Sequence, residues 1–325
     1  MNMTTAVKAE KRQGLDIKKF LANNGALVGL LVLCLALFIA TPDFLTAGNM
    51  LNIGIQASTI AVLAFGMTFV IVAAGIDLSV GSVAALSAMV SASMFTTAGL
   101  NGWVALLGGF LTGAACGVAS GLATAYGRLP SFIATLAMLS VARGLTLVIS
   151  EGRPVRTADQ VSFLGGNIGP IPMPIVVLVV AGLVAAFLLN RTVIGRYMYA
   201  VGGNKEAARL SGIPVQKVLV IVFALSGLFA GLAGMLLSGR LDSAQPQAAV
   251  GYELDAIAAV VIGGASLAGG VGRISGTLVG ALVLVVIRNG LNLLNVSSFW
   301  QQVVIGLVIA LAVGIDVLRR KNTIH

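Results

Sequence analysis

Long uninterrupted stretches of apolar residues are the feature that most restricts the fold of this chain. About ten such stretches follow one another between short polar breaks, and a helix needs ~20 apolar residues to cross the ~30 Å hydrocarbon core of a bilayer. Inside that core the backbone N–H and C=O groups must be bonded within the protein, and a helix does this within one segment. The stretches therefore predict an all-α, polytopic transmembrane bundle.

The predicted spans end where polar or turn-forming residues interrupt the apolar runs. They are 25–41, 56–75, 78–96, 103–126, 130–149, 172–190, 218–238, 254–266, 274–294 and 299–317. Within this set, the helices near 73–95 and 243–270 are expected to be short or broken by glycine. Because a broken helix is tolerated only where protein or a cavity surrounds its freed backbone groups, these regions are expected to avoid lipid.

The distribution of basic residues predicts the orientation of the bundle. Lysines and arginines concentrate in the tail 1–24, in the central break 190–217 and in the C-terminal tail 319–325. The positive-inside rule places all three in the cytoplasm, which requires an even number of spans. We expect ten spans, with eight as the alternative, in a single transmembrane domain at 25–318. The basic N-terminal tail is either disordered or an interfacial helix.

The composition excludes several classes of function. With 58% hydrophobic and 10% charged residues, the chain is far from the ~25% charged residues of soluble domains. The net charge of +9 is spread over loops and tails without a basic face, which argues against nucleic-acid binding. Cys34 and Cys116 lie in apolar runs without a disulfide or metal pattern, and the single histidine is His325. We therefore expect no metal site, no cofactor and no catalytic group.

The polar break at 190–217 carries five basic residues against one acid. Its centre predicts a short helix at 204–212, with Asn204 as the N-cap and Glu206 favoured in the first turn by the helix dipole. Gly212 can adopt the left-handed conformation that ends a helix, and Pro214 prevents its continuation. The break is either a solvated cytoplasmic loop or a docking helix for a cytoplasmic partner.

Glycines recur at every fourth position in two predicted spans. Residues four apart share a helix face, and small residues there let a neighbouring backbone approach closely. The predicted packing glycines are Gly109, Gly113, Gly117 and Gly121 in one span, and Gly272, Gly276 and Gly280 in another. Four glycines in register favour tight packing over the ordinary abundance of glycine in membrane spans.

Asp77 and Ser79 lie at the edge of a membrane segment, where an acid is costly unless it has a role. Two interpretations stay open. Asp77 is either a cap or first-turn acid of the helix that follows, or a group that gates or lines a path through the membrane.

A second polar group, formed by Gln245, Glu253 and Asp255, precedes a short apolar helix that glycines interrupt. It is neither a phosphate loop nor a dinucleotide motif, because no GK[ST] sequence and no βαβ pattern accompany it. A broken helix beside a pathway and a glycine-rich loop between ordinary spans both fit this pattern.

Two other functions are weighed against these residues. An intramembrane aspartyl hydrolase would need Asp77 and Asp255 to share a proton, whereas the expected topology places them near opposite membrane faces. An ion-coupled secondary transporter would bury carboxylates near the bilayer midplane. The ionisable groups inside the predicted spans are mainly Arg143 and Arg288, so ion coupling is possible but unsupported.

Three motifs carry a resemblance to a known family. EAARLSG at 206–212 resembles the coupling motif of ABC importer membrane subunits. AAGIDLSVGS at 73–82, YAVGGNKEAARLSGI at 199–213 and SAQPQAAVGYELDAIAAVVIGGASLAGGVGRISGT at 243–277 resemble the ribose/xylose-type sugar permeases of the bacterial inner membrane. The similarity extends from the first span to GLNLL at 290–294.

The resemblance implies a homodimeric permease that translocates a monosaccharide and performs no covalent chemistry. It implies a cytoplasmic ATPase subunit, which binds ATP and Mg, and an external sugar-binding protein. The residues expected to couple the permease to the ATPase are Asn204, Glu206, Ala207, Ala208, Arg209 and Gly212. Those expected along the sugar path are Asp77, Ser79, Gln245, Glu253 and Asp255. Ribose is the default sugar; xylose, allose, galactose, inositol and an autoinducer sugar stay open.

Overall fold

A computed structural model of the chain describes residues 25–321. The tail predicted at 1–24 and the last four residues, 322–325, lie outside the described part. The helices are α1 (Gly25–Ala40), α2 (Ala47–Val72), α3 (Val80–Thr96), α4 (Gly102–Ala125), α5 (Ser131–Ser150), α6 (Asp159–Gly165), α7 (Met173–Arg191), α8 (Val193–Gly203), α9 (Lys205–Leu210), α10 (Val215–Arg240), α11 (Tyr252–Ile262), α12 (Ile274–Leu293) and α13 (Ser298–Lys321). The short strands are β1 (Val155–Arg156), β2 (Asn167–Ile168), β3 (Ile171–Pro172) and β4 (Ser243–Ala244).

The helical, polytopic architecture is confirmed. Six helices, namely α2, α4, α5, α7, α10 and α12, are long and apolar enough to cross a membrane. The other predicted spans correspond to the shorter helices α1, α3 and α11 and to α13. Most boundaries differ by a few residues, and the largest difference is at the start of α2, which begins at Ala47 and not at 56. Thr46 caps this helix by accepting a bond from the Asn49 N–H at 3.4 Å.

The two ends of the bundle carry different elements. Strands β1 and β4 pair antiparallel, as do β2 and β3, and these pairs mark what we call the strand end. Helices α8 and α9 mark the opposite end, which we call the α9 end. Between the two ends, α2 is buried along most of its length and α10 packs against α2, α3 and α4.

The glycine faces lie where helices approach most closely. A side chain on Gly113 of α4 would meet the carbonyl oxygen of Gly227 in α10, and Gly109, Gly117 and Gly121 also face α3 or α10. In α12, Gly276 and Gly280 face the backbone of Gly263 and Ala259 at the end of α11. Gly272, which was predicted within the same span, precedes α12 and packs against the side chain of Val72. Backbone contact of this kind is available only where side chains are small.

Helix α3 begins inside the bundle and not at one of its ends. Asp77, just before α3, accepts a bond at 2.8 Å from the Ser226 hydroxyl, which lies near the middle of α10. Further along, Gly234 of α10 packs against the backbone of Ala84. Helix α3 therefore runs parallel to the second half of α10, and residues 73–79 return from the end of α2 into the bundle.

Helix α11 also begins in the interior. Its close contacts with α12, Ala259 to Gly280 and Gly263 to Gly276, make it antiparallel to the first half of α12. A side chain on Gly81 of α3 would meet the Ala249 carbonyl oxygen and the Glu253 carboxylate. The first turns of α3 and α11 are thus neighbours. The expectation that Asp77 and Asp255 lie near opposite membrane faces is wrong, because hydropathy does not reveal that each segment starts at half height.

Candidate coupling helix and transport pathway

Helix α9 has the start and stop that its sequence encodes. The Asn204 side-chain oxygen accepts a bond from the Ala207 N–H at 2.9 Å, which caps the helix. Gly212 has a φ of +80°, and the Ile213 N–H donates to the Ala208 carbonyl at 3.1 Å. A left-handed residue after the last turn satisfies carbonyls that a helix end leaves open. The chain therefore leaves α9 in a fixed direction and enters α10 directly.

The outer surface of α9 combines charge with one exposed leucine. Glu206 and Arg209 form an ion pair at 3.1 Å, a contact between exposed groups that adds little to stability. Ala208 is buried while Ala207 is exposed, and Leu210 is 83% exposed. The two alanines thus lie on different faces of the helix. Sequence reasoning did not single out Leu210.

Helix α8 precedes α9 and was not predicted as a helix. Thr192 caps it by accepting from the Gly195 N–H at 3.2 Å. The Tyr199 hydroxyl donates to the Gly272 carbonyl at 2.7 Å, just before α12. Burial raises the pKa of Tyr199, and this effect exceeds the lowering caused by the charge of Arg273. The phenol therefore keeps the proton that it donates. Helix α8 is therefore attached to the segment between α11 and α12.

A second attachment consists of backbone alone, and we call it the glycine junction: Val72, Ala74, Gly202, Gly269 and Gly270. The Gly270 N–H donates to the Val72 carbonyl at 2.9 Å. Side chains added at Gly202 or Gly269 would overlap these neighbours, and Gly269 and Gly270 have φ values of +90° and +72°. The end of α8 thus touches the segment that leads into α3 and the segment that follows α11.

Asp77 and Ser79 form a buried cluster. One Asp77 oxygen accepts from the Ser79 N–H at 2.9 Å and from the Ser79 hydroxyl at 2.6 Å, while the other accepts from Ser226. Ser79 occupies the N-cap position without a capping bond from its own side chain. Asp77 therefore shapes the turn before α3 and ties it to α10.

The second polar group is more open. Gln245 is half-buried and donates to the Ser243 hydroxyl at 2.8 Å, and Glu253 is half-buried in the first turn of α11. Asp255 is buried and pairs with Arg288. With Asp77 bonded to serines and Asp255 to an arginine, the two acids do not form the proton-sharing pair of an aspartyl hydrolase. Within residues 25–321, no group of three or more His, Cys, Asp or Glu residues could hold a metal ion.

Comparison with known proteins gives consistent results. The sequence model of the family described as "Branched-chain amino acid transport system / permease component" matches residues 49–313. The "Ribose import permease protein RbsC" of Escherichia coli K12 is 48% identical over 320 residues, covering 97% of this chain and 99% of that protein. The protein of the same name from Bacillus subtilis 168 is 46% identical over 308 residues, covering 92% and 93%.

A third relative is named for a different sugar. The "D-allose transport system permease protein AlsC" of Escherichia coli K12 is 39% identical over 327 residues, covering 99% of this chain and 100% of that protein. No solved structure gives a significant match. Full-length similarity to these permeases and the six long apolar helices make the protein a multi-pass transport component of the bacterial inner membrane and not an enzyme. The chain therefore belongs to the permease-component family of ATP-binding-cassette (ABC) importers.

Proposed function

We propose that the chain is the permease subunit of an ABC importer for a ribose-like monosaccharide. Support comes from full-length similarity to two permeases named for ribose and one named for allose. The proposed path is bordered by backbone groups and by serine and glutamine side chains, which suits a neutral sugar. Most of the nearby carboxylates are already bonded to other protein groups. Among the named sugars, ribose is proposed first because the ribose permeases are more similar to this chain than the allose permease.

The proposed assembly contains two copies of this chain, two ATPase subunits and an external sugar-binding protein. ATP and Mg would bind to the ATPase, and the permease itself would hold no cofactor. The basic α9 end would face the cytoplasm, where Arg191, Arg196 and Lys217 are exposed and satisfy the positive-inside rule. The binding protein would dock at the strand end.

Helix α9 is proposed to insert into a cleft of the ATPase, as an amphipathic helix in a groove. Leu210 would enter an apolar pocket, with Glu206 and Arg209 at its rim. The main support for this mechanism is the glycine junction at the end of α8. Helix α9 follows directly after Gly203, so the junction connects it to the rest of the bundle. Movement of α9 by the ATPase would displace α8, and α8 touches the segment that leads into α3 and the segment that follows α11.

This linkage modifies the simplest mechanism for coupling. If α9 acted only on the spans that flank it, the motion would reach α7 and α10 alone. Through the glycine junction, the same motion would also act on residues 73–79 and 263–272, and hence on α3 and α11. A two-state change of these helices, biased by nucleotide, would close the path at one end and open it at the other.

Reconstitution tests the proposal. Proteoliposomes containing the permease and its ATPase are supplied with the binding protein and with labelled ribose or allose. We expect uptake that requires ATP and the binding protein and that persists when ionophores collapse proton and sodium gradients. Uptake that follows an ion gradient without ATP would instead establish the ion-coupled alternative, which the comparisons do not favour.

A further inference from the structure

Arg143 is an arginine inside α5 whose partners are backbone carbonyls. One guanidinium nitrogen donates to the Pro246 oxygen at 2.7 Å and to the Ala248 oxygen at 3.1 Å. Both acceptors belong to the stretch that descends from β4 to the start of α11, which we call the descending segment, 245–249. Arg143 thus holds a non-helical stretch of backbone inside the bundle, where unbonded carbonyls are costly.

The same helix holds the other interior segment. The Ser131 hydroxyl accepts from the Ile76 N–H at 3.2 Å, and the Thr135 hydroxyl accepts from the Leu78 N–H at 3.1 Å. Ser131, Thr135 and Arg143 lie at helical spacing along one side of α5. Helix α5 is therefore bonded to the segments before both half-height helices, with hydroxyls at one and a guanidinium at the other.

Arg143 also lies beside the place where the two half-height helices begin. Its acceptor Ala248 precedes Ala249, whose carbonyl oxygen borders Gly81 in the first turn of α3. The carboxylate of Glu253, in the first turn of α11, borders Gly81 as well. Both charged side chains are only half-buried. Ionisable groups at this depth of a membrane protein face a water-filled cavity or protein and not lipid. The face of α5 bearing Arg143 therefore borders protein or a water-filled cavity.

We propose that Arg143 is a positioning residue for sugar passage: it fixes the descending segment beside the start of α3 and so sets the opening between α3 and α11. This inference rests on the proposed transport function. Lysine could keep the charge, but its ammonium is carried on a shorter, flexible chain and lacks the rigid planar group that orients the donating nitrogen of Arg143. Glutamine is too short and uncharged to replace either bond.

The test compares Arg143→Gln, Arg143→Lys and a matched control, Arg153→Gln, which changes an exposed arginine just beyond α5. Each is reconstituted with ATPase and binding protein, and the KM, the maximal uptake rate and the ATP hydrolysed per sugar are measured. Without the two hydrogen bonds from Arg143, the fraction of molecules with the descending segment in its bonded position should fall by roughly tenfold or more. We expect Arg143→Gln to raise ATP use per sugar by that order, Arg143→Lys to be intermediate, and Arg153→Gln to match wild type.

A second readout follows the descending segment itself. A cysteine at Ala248, which is half-buried, is expected to react faster with a water-soluble maleimide in the Arg143→Gln background. Unchanged kinetics and labelling in Arg143→Gln would overturn the proposal. So would losses in both Arg143 variants that merely follow the unfolding temperature, because that pattern indicates a general structural role. Failure of wild-type uptake would instead contradict the transport function itself.

Discussion

Arg288 of α12 bonds both carboxylate oxygens of Asp255 in α11, at 2.8 and 2.7 Å. The Asp255 side chain is 4% exposed and that of Arg288 is 26% exposed. The pair fastens the start of a half-height helix to a full span. The carboxylate that sequence reasoning assigned to the sugar path is therefore engaged in an interhelical ion pair.

Breaking this pair is predicted to destabilise the permease. Replacing one partner of a buried pair leaves an uncompensated charge and costs ~3–5 kcal/mol, whereas an apolar pair of similar volume is often neutral. We expect Asp255→Asn and Arg288→Met each to lower the unfolding temperature in detergent, and Asp255→Leu with Arg288→Met to restore most of it. Arg156→Gln, which removes the exposed pair with Asp159 at 3.7 Å, is the control and should change little. Additive losses in the double variant would contradict the prediction.

Gly202 and Gly203 form a matched pair of sites for testing transmission. A methyl group on Gly202 would overlap the Val72 carbonyl oxygen, whereas one on Gly203 meets nothing within 4 Å. We expect Gly202→Ala to slow sugar uptake while ATP hydrolysis continues, because the junction is forced apart. Gly203→Ala should transport normally. Equal uptake by both variants would remove the glycine junction from the mechanism.

The exposed face of α9 is predicted to determine ATPase binding. Leu210→Ala should weaken association with the ATPase without changing the stability of the isolated permease, because the side chain is 83% exposed. Glu206→Lys should insert normally and uncouple ATP hydrolysis from uptake. Ile168→Ala, an exposed apolar residue at the strand end, is the control for Leu210. Binding measured in detergent that is unaltered by both α9 substitutions would count against the docking surface.

Orientation is tested by labelling from one side of the membrane. A cysteine at Lys205 should react only with a reagent supplied to the cytoplasm, and one at Glu151 only with a reagent supplied outside. Both positions are exposed, so a negative result is not explained by burial. Labelling of the two positions from the same side would overturn the proposed arrangement.

Local sequence patterns predicted most of the helices, but they could not predict contacts between residues far apart in the sequence. Apolar length located the long helices, and Asn204 with Gly212 marked the limits of α9 because caps act over a few residues. Helix α8 escaped prediction, since its eleven residues mix polar and apolar positions and two glycines close it. The hydrogen-bond partner of Asp77, Ser226, lies 149 residues away along the sequence, so no local pattern could have indicated it. The half-height starts of α3 and α11 also escaped, because hydropathy measures length and not depth.

In the proposed mechanism, recognition of the ATPase and transmission of its motion would depend on different atoms of this permease. Side chains of α9 form the surface proposed to meet the ATPase, whereas the glycine junction beyond it is built from peptide groups and glycines. The outer face of α9 could then vary without disturbing the linkage, and the permease would be modular at this point. Exchanging α9 for that of another importer would be a route to a different ATPase subunit, with the sugar path left as it is.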